Sequence, residues 1–178
     1  DASSININSS TGVLTFVSAP DYETKSSYTV TVSVSDGSNS VSQNITVNVN
    51  NVSDNSPVIT SNATFTANEN QTAIGTVTAT DADGDTLSFS ISGTDASSIN
   101  INSSTGVLTF ASAPDYETKS SYTATVSVTD GGDPVNQNIT VNINNLNDNS
   151  PQITSANSFN ANENQTAIGT VTATDADG

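Results

Sequence analysis

The chain of 178 residues has no cysteine, no histidine, no methionine and no tryptophan, and only two lysines or arginines against eighteen acidic residues. Without cysteine there is neither a disulfide framework nor a thiolate metal site, and the redox compartment is left open. Two basic residues cannot build the positive patches that nucleic acid or an anionic membrane surface requires, so neither is an expected partner. No apolar run reaches transmembrane length, and no lipidation motif or signal peptide is present. Both ends nevertheless look cut from something longer. Aromatic residues make up 5% of the chain, a shortage that together with abundant Ser, Thr and Asn suggests disorder. The strict alternation of Val, Ile and Thr argues against that, because a disordered segment has no need of a period.

What is present is a repeat. Asp21-Tyr22-Glu23 returns as Asp115-Tyr116-Glu117, Asp54 as Asp148, Glu69 as Glu163 and Asp81 as Asp175, always 94 positions later. Residues 1–56 align without gaps to 95–150 with ten differences, and 57–84 align to 151–178 with five. We therefore expect residues 1–56 to be the C-terminal part of one repeat, 57–150 a complete repeat and 151–178 the N-terminal part of the next. Two explanations would fit the partial ends, a window on a longer array or completion between chains, and the window is favoured. Completion would leave out one central strand and expose two unpaired edges.

Within the complete repeat the pattern is that of strands. Tyr122, Ala124, Val126 and Val128 alternate with Thr and Ser, as do Ile139, Val141 and Ile143 with Thr140 and Asn142, and Leu87, Phe89 and Ile91 with serines. Shorter candidates are Val58 to Ser61 with Thr64 to Ala67, Gly75 to Thr80, Ile99 to Ile101 and Val107 to Phe110. Asp83-Gly84-Asp85, Thr105-Gly106, Pro114-Asp115 and Asp130-Gly131-Gly132-Asp133-Pro134 punctuate them as turns. No stretch has helical spacing. About seven short strands per repeat predict an all-β fold of tandem Greek-key, immunoglobulin-like β-sandwiches.

The carboxylates are reserved for loops, while the outward strand positions are Thr, Ser and Asn. Acidity that served only solubility would decorate the strand faces as well. The linker Asn145-Leu146-Asn147-Asp148-Asn149-Ser150-Pro151 and its earlier copy Asn51-Val52-Ser53-Asp54-Asn55-Ser56-Pro57 concentrate carboxylate and amide oxygens in a segment too polar to own a core. Calcium takes six to eight such oxygens, so it would stiffen a linker of this kind. Asp81-x-Asp83 can aim two carboxylates at one ion, with Gly84 permitting the turn. Taken singly, these signals are weak, because an Asp before Gly commonly caps a turn and Asp-Tyr-Glu reads equally as the first turn of a helix.

In order along the chain, Glu69-Asn70 after the first strand, Asp81-x-Asp83, Asp115-x-Glu117, the lone Asp130 and the linker from Asn145 to Pro151, set against the family's DxNDNxP, resemble the cadherin repeat. The Asp-Tyr-Glu form and the Thr/Ser/Asn-rich strands look like its bacterial branch, found in long surface adhesins. The resemblance covers the whole chain. It implies up to three calcium ions per joint. At the second joint the ligands would be Glu69, Asp115, Glu117, Asn145, Asn147, Asp148, Asn149, Asp175 and Asp177. At the first they would be Asp21, Glu23, Asn51, Asp54, Asn55, Asp81, Asp83 and Asp130. Asp36 is the counterpart of Asp130, and Glu163 that of Glu69. Asp85, Asp95 and Asp133 are left as turn residues. The chain departs from the family pattern at Asn51 and Asn145, where an Asp is usual and one negative charge per joint is lost, and at Ser53, where the linker has Asn in its second copy. Without tryptophan, the strand-swapped adhesion of vertebrate classical cadherins is unavailable.

The function expected from this is an extender: calcium-stiffened repeats of an extracellular or surface-attached bacterial adhesin that hold a binding domain away from the cell. The partners are calcium and neighbouring repeats of the same chain. The alternative is a repeat that itself adheres, to a like chain or to a surface polysaccharide, for which no aromatic platform is apparent. Catalysis by the Asp115 and Glu117 pair is disfavoured, since there is no histidine and no nucleophile set beside a base. Asn-x-Ser/Thr sequons such as Asn138-Ile139-Thr140 are expected by chance in this composition.

Overall fold

The computed structural model describes residues 1–178 and is built of strands, with one 3-10 turn at Ala96–Ser98. The chain divides into two compact units, one formed by Asp1–Ser56 with Asp81–Thr86 and the other by Pro57–Thr80 with Leu87–Gly178.

In the first unit, β1 (Ile5–Ile7) pairs antiparallel with β2 (Leu14–Phe16), and β3 (Ser27–Ser35) pairs antiparallel with β4 (Ser40–Asn48). Tyr28 and Phe16 meet edge to face at 5.0 Å between ring centres. None of residues 1–56 is buried.

While Asp81–Thr86 counts with the first unit, the second unit carries the strands between residues 57 and 150. Its strands are β5 (Val58–Ile59), β6 (Thr64–Asn68), β7 (Ala73–Thr76), β8 (Ala79–Thr80), β9 (Ser88–Ser92), β10 (Ile99–Ile101), β11 (Val107–Phe110), β12 (Ser121–Thr129) and β13 (Val135–Asn144). One sheet runs β6-β13-β12-β9 and another β10-β11-β7, while β5 and β8 form a separate two-stranded pair. The first and last long strands, β6 and β13, are neighbours and run parallel, with Thr64 opposite Thr140 and Asn68 opposite Asn144. The β12–β13 hairpin is the longest antiparallel ladder of this unit, from Ser121↔Asn142 to Val128↔Val135.

The alternation works as the pattern requires. Val126, Val128 and Val141 are wholly inaccessible and join Ile99, Leu108, Phe110, Ile139 and Ile143 in one core between the sheets, each such side chain contributing about 1.5–3 kcal/mol on burial. Outward, Thr125 donates to Asn138 at 2.8 Å and Ser127 to Asn136, so cross-strand hydroxyl and amide pairs take the place of charge. The span Gly75 to Thr80, expected as one strand, is instead two, β7 and β8. Between them the Val77 N–H leaves the ladder and donates to the carbonyl of Gly106 in the β10–β11 turn at 2.9 Å. The candidates Val58 to Ser61 and Thr64 to Ala67 form as β5 and β6, β5 pairing with β8 and β6 with β13, so nine segments do the work of seven strands. Beyond β13, the short pair β14 (Gln152–Ile153) and β15 (Ala173–Thr174) forms in residues 151–178, of which none is buried.

Candidate calcium site

Glu69 is the only buried charged residue, 2% exposed. It follows β6, where Asn68 ends the pairing, and the next residue, Asn70, takes the left-handed conformation at φ 62° that Asn tolerates. The reversal turns both Glu69 oxygens onto backbone donors. Oε2 accepts the Tyr116 N–H at 2.8 Å, and Oε1 the Leu146 N–H at 2.6 Å. A buried carboxylate thus ties the β6 end, the Asp115-Tyr116-Glu117 loop and the linker together, with hydrogen bonds to ionised acceptors that are stronger than neutral ones.

The Asp-Tyr-Glu loop is a single helical turn. Asp115 accepts from the Thr118 N–H at 3.2 Å and from its hydroxyl at 2.9 Å, while the Lys119 N–H closes on the Asp115 carbonyl at 2.9 Å. Asp21 and Thr24 repeat the arrangement in the first unit. The cap lowers the Asp115 carboxyl from its ordinary value, chiefly through Thr118. It also fixes the direction in which Glu117, two residues on, points.

Glu117 is the hinge of the constellation. Carboxylate oxygens of Glu69, Asp115 and Glu117 lie within 4.8 Å of one another, as do those of Glu117, Asp148 and Asp177, so one side chain belongs to two groups. Asn70, Asp115, Glu117, Asp148 and Asn149 line a cleft there. Asn149 holds Asp177 by its N–H at 2.8 Å and its side-chain amide at 3.0 Å, and that amide also reaches Asp148 at 2.9 Å. Asn145 donates to the Asp177 carbonyl at 3.1 Å. The amide of Asn70 donates to Asp148. Partial desolvation pushes the Glu117 carboxyl up, with the charges of Glu69 and Asp177 adding to it, whereas the Asn149 amide holds Asp177 down.

The first unit repeats this chemistry. Glu23, Asp54 and Asp83 converge within 4.8 Å, and so do Asp81, Asp83 and Asp85. Asp83 accepts from the N–H groups of Asn55 at 2.9 Å and Asp54 at 3.1 Å, and Asn51 donates to its carbonyl at 2.8 Å. The Asn55 N–H is the main cause of a lowered Asp83, and desolvation followed by the neighbouring Asp83 raises Glu23. Like charges gathered this closely repel one another, and a cation or a proton would relieve that repulsion. All-oxygen donors with no nitrogen or sulfur fit a hard cation such as calcium.

Some residues expected to be ligands stand apart from these groups. Asp36 caps its own hairpin turn through the N–H groups of Ser38 and Asn39, and Asp130 does the same for Gly132 at 2.8 Å. Asp21 serves its turn only, Asn147 and Glu163 are exposed, and Asp175 accepts the Asp177 N–H at 3.0 Å. Two residues that face a carboxylate were not expected there, Asp85 and Asn70. Asp95 also exceeds a turn role: it pairs with Lys119 and accepts the Thr123 N–H at 2.8 Å, and Asp1 treats Lys25 and Thr29 likewise one repeat earlier.

A two-sheet sandwich with a buried glutamate and oxygen-rich loops converging on a polar linker defines a repeat of the cadherin class. The family model for the cadherin domain matches residues 61–144, and that repeat belongs to the cadherin domain family, whose domains bind calcium and generally serve as adhesion or spacer modules. Human Protocadherin Fat 4 is 36% identical over 130 residues, which is 67% of this chain and 3% of that protein. Human Protocadherin Fat 1 is 33% identical over 161 residues, 82% of this chain and 4% of that protein. The chain therefore spans only a few per cent of these relatives' length. Among solved structures, the Protocadherin gammaB7 EC3-6 cis-dimer structure superposes with a TM-score of 0.84 at 27% identity, over 99% of this chain and 50% of that one. Human CDH23 EC21-23 superposes with a TM-score of 0.79 at 27% identity, over 98% and 62%. These relatives are animal proteins of the protocadherin and cadherin kind, and none of them points to a bacterial adhesin.

Proposed function

We propose that this chain is a calcium-stiffened extender segment of a long extracellular or surface-attached protein, spacing a distal binding domain from the cell. The observation that carries the reading is Glu117, shared by two carboxylate trios whose members come from the sandwich loops, the linker and the segment after it. A cation held at each trio would neutralise the mutual repulsion and cross-link those three pieces of chain. Glu69, Asp115, Glu117, Asp148 and Asp177 would supply the charged ligands, and Glu23, Asp54 and Asp83 their equivalents one repeat earlier. Near-identity of the repeats favours a spacer, since recognition surfaces diversify whereas spacers need only recur. The Thr, Ser and Asn composition of the strand faces is what suggests a bacterial surface adhesin as the parent.

Small-angle scattering on the chain tests this. Extracellular modules bind calcium with dissociation constants of about 0.1–1 mM. Chelation should therefore shorten the maximum dimension and broaden the distance distribution while strand content by circular dichroism persists. Identical scattering with calcium and with excess chelator would sink the proposal.

A further inference from the structure

Between the 3-10 turn and the segment that joins β11 to β12, Ser97, Ser98, Ser112, Thr118, Phe110 and Tyr122 line a cleft of about 350 Å³. All of them belong to the second unit. Of the hydroxyls there, only that of Thr118 is bonded within the chain, to Asp115 at 2.9 Å. The alternation of β12 assigns Tyr122 to the core, but it stands near the start of the strand, where it is half-buried and lines the cleft. Its ring is held by two neighbours, Phe110 at 5.0 Å between ring centres and the Lys119 ammonium 4.7 Å from the centroid. The aromatic wall is thus fixed before any ligand arrives, which spares part of the ordering cost of binding.

The volume lies at the small end of the range for ligand sites, about 300–1,000 Å³, and the lining restricts the ligand. An anion would meet the Asp115 carboxylate and a chain of net charge −16, while Lys119 is committed to Asp95. An extended peptide calls for a free strand edge or for pockets that take its side chains, and this wall offers serines. A neutral pyranose ring carries C–H groups on its faces and hydroxyls around its rim. That arrangement matches an aromatic wall set among unbonded serine hydroxyls.

We propose that this cleft binds a hexose unit of an uncharged polysaccharide. Its residues recur 94 positions earlier as Ser3, Ser4, Ser18, Thr24, Phe16 and Tyr28, and there too the rings meet at 5.0 Å and a lysine, Lys25, lies 4.8 Å over the tyrosine. One shallow site binds weakly, but a polymer with a repeating unit engages several such sites and gains avidity without any further contact. A repetitive ligand is recognised by surfaces that recur unchanged, so near-identity of the repeats serves this role as well as spacing. Calcium stiffening is not required for it.

Affinity electrophoresis of the 178-residue chain in calcium, through gels holding dextran, galactomannan, laminarin or hyaluronan, tests the proposal. At least one of the three uncharged polymers should retard the chain, and anionic hyaluronan should not. Tyr122→Phe keeps the ring, removes the hydroxyl and should weaken the interaction about fivefold, the worth of one hydrogen bond. Ser112→Asp, at an exposed position, should weaken it at least as much, and Ser18→Asp combined with Ser112→Asp should abolish it. Ser90→Asp, exposed on β9, should leave it unchanged, and circular dichroism checks that each variant retains its strands. No retardation by any uncharged polymer, retardation by hyaluronan, or equal effects of Ser90→Asp and Ser112→Asp would overturn the cleft. Scattering would still report calcium stiffening in each of those cases, so the two readings fail separately.

Discussion

At the scale of single residues, Glu69 makes the sharpest prediction, because its two oxygens face two backbone donors in a buried position. Glu69→Gln turns one acceptor into an amide that confronts an N–H group. It should lower the unfolding free energy by about 1–3 kcal/mol in calcium. In chelator the loss should be smaller, since removing the charge also relieves repulsion with Asp115 and Glu117; urea unfolding under both conditions checks this. Asp95 predicts a pH effect. Lys119, and then the Thr123 N–H, hold its carboxyl below the ordinary 3.8, so its stabilisation is present above that value and lost as pH falls through the lowered one. Lys119 is 41% exposed, which limits the pair to roughly 0.5–1 kcal/mol. Asp95→Asn should flatten the acid limb of the stability profile by that amount. The confinement of the carboxylates to loops, and so the places where they gather, was legible in the residue types. Which carboxylates come together was carried by the family resemblance and not by the residue types, since Glu69, Glu117 and Asp148 are far apart in the chain, and a turn-capping Asp such as Asp130 reads the same as a ligand.

Elements were legible where one face is apolar over several residues. β12 and β13 follow their alternation closely, and β10 and β11 occupy the expected residues. The interruption between β7 and β8 was not legible, because a turn distant in sequence causes it: Gly106 comes so close that a Cβ there would lie 2.2 Å from the Val77 carbonyl oxygen, and its φ is +68°. Gly106→Ala must push the β10–β11 hairpin away from that strand as well as strain its own backbone. We expect a loss above about 2 kcal/mol in chemical denaturation. Gly12, the same position one repeat earlier, has nothing within 4 Å, so Gly12→Ala should cost only the left-handed penalty of about 1–2 kcal/mol. The 3-10 turn at Ala96–Ser98 left no sequence signal because it has no apolar period and no side-chain cap.

At the scale of the whole molecule, the repeat spacing of 94 residues returns the same oxygen-bearing residue types at each linker, so a single substitution tests the proposed calcium arrangement. Asp148→Ala should weaken calcium binding at its joint about tenfold or more, whereas Asp133→Ala, which also removes one charge but lies in an exposed turn, should leave it unchanged; calorimetry compares them. The parallel pairing of β6 with β13 has a mechanical consequence. Because the two strands run the same way, the sandwich is entered at one end and left at the other, and tension between its ends draws β6 and β13 lengthwise past each other. Their five paired residues, Thr64 to Asn68 against Thr140 to Asn144, then bear the load together in shear. An antiparallel hairpin pulled from its open end would instead unzip one hydrogen bond at a time, so this topology suits a tether that must carry force without opening.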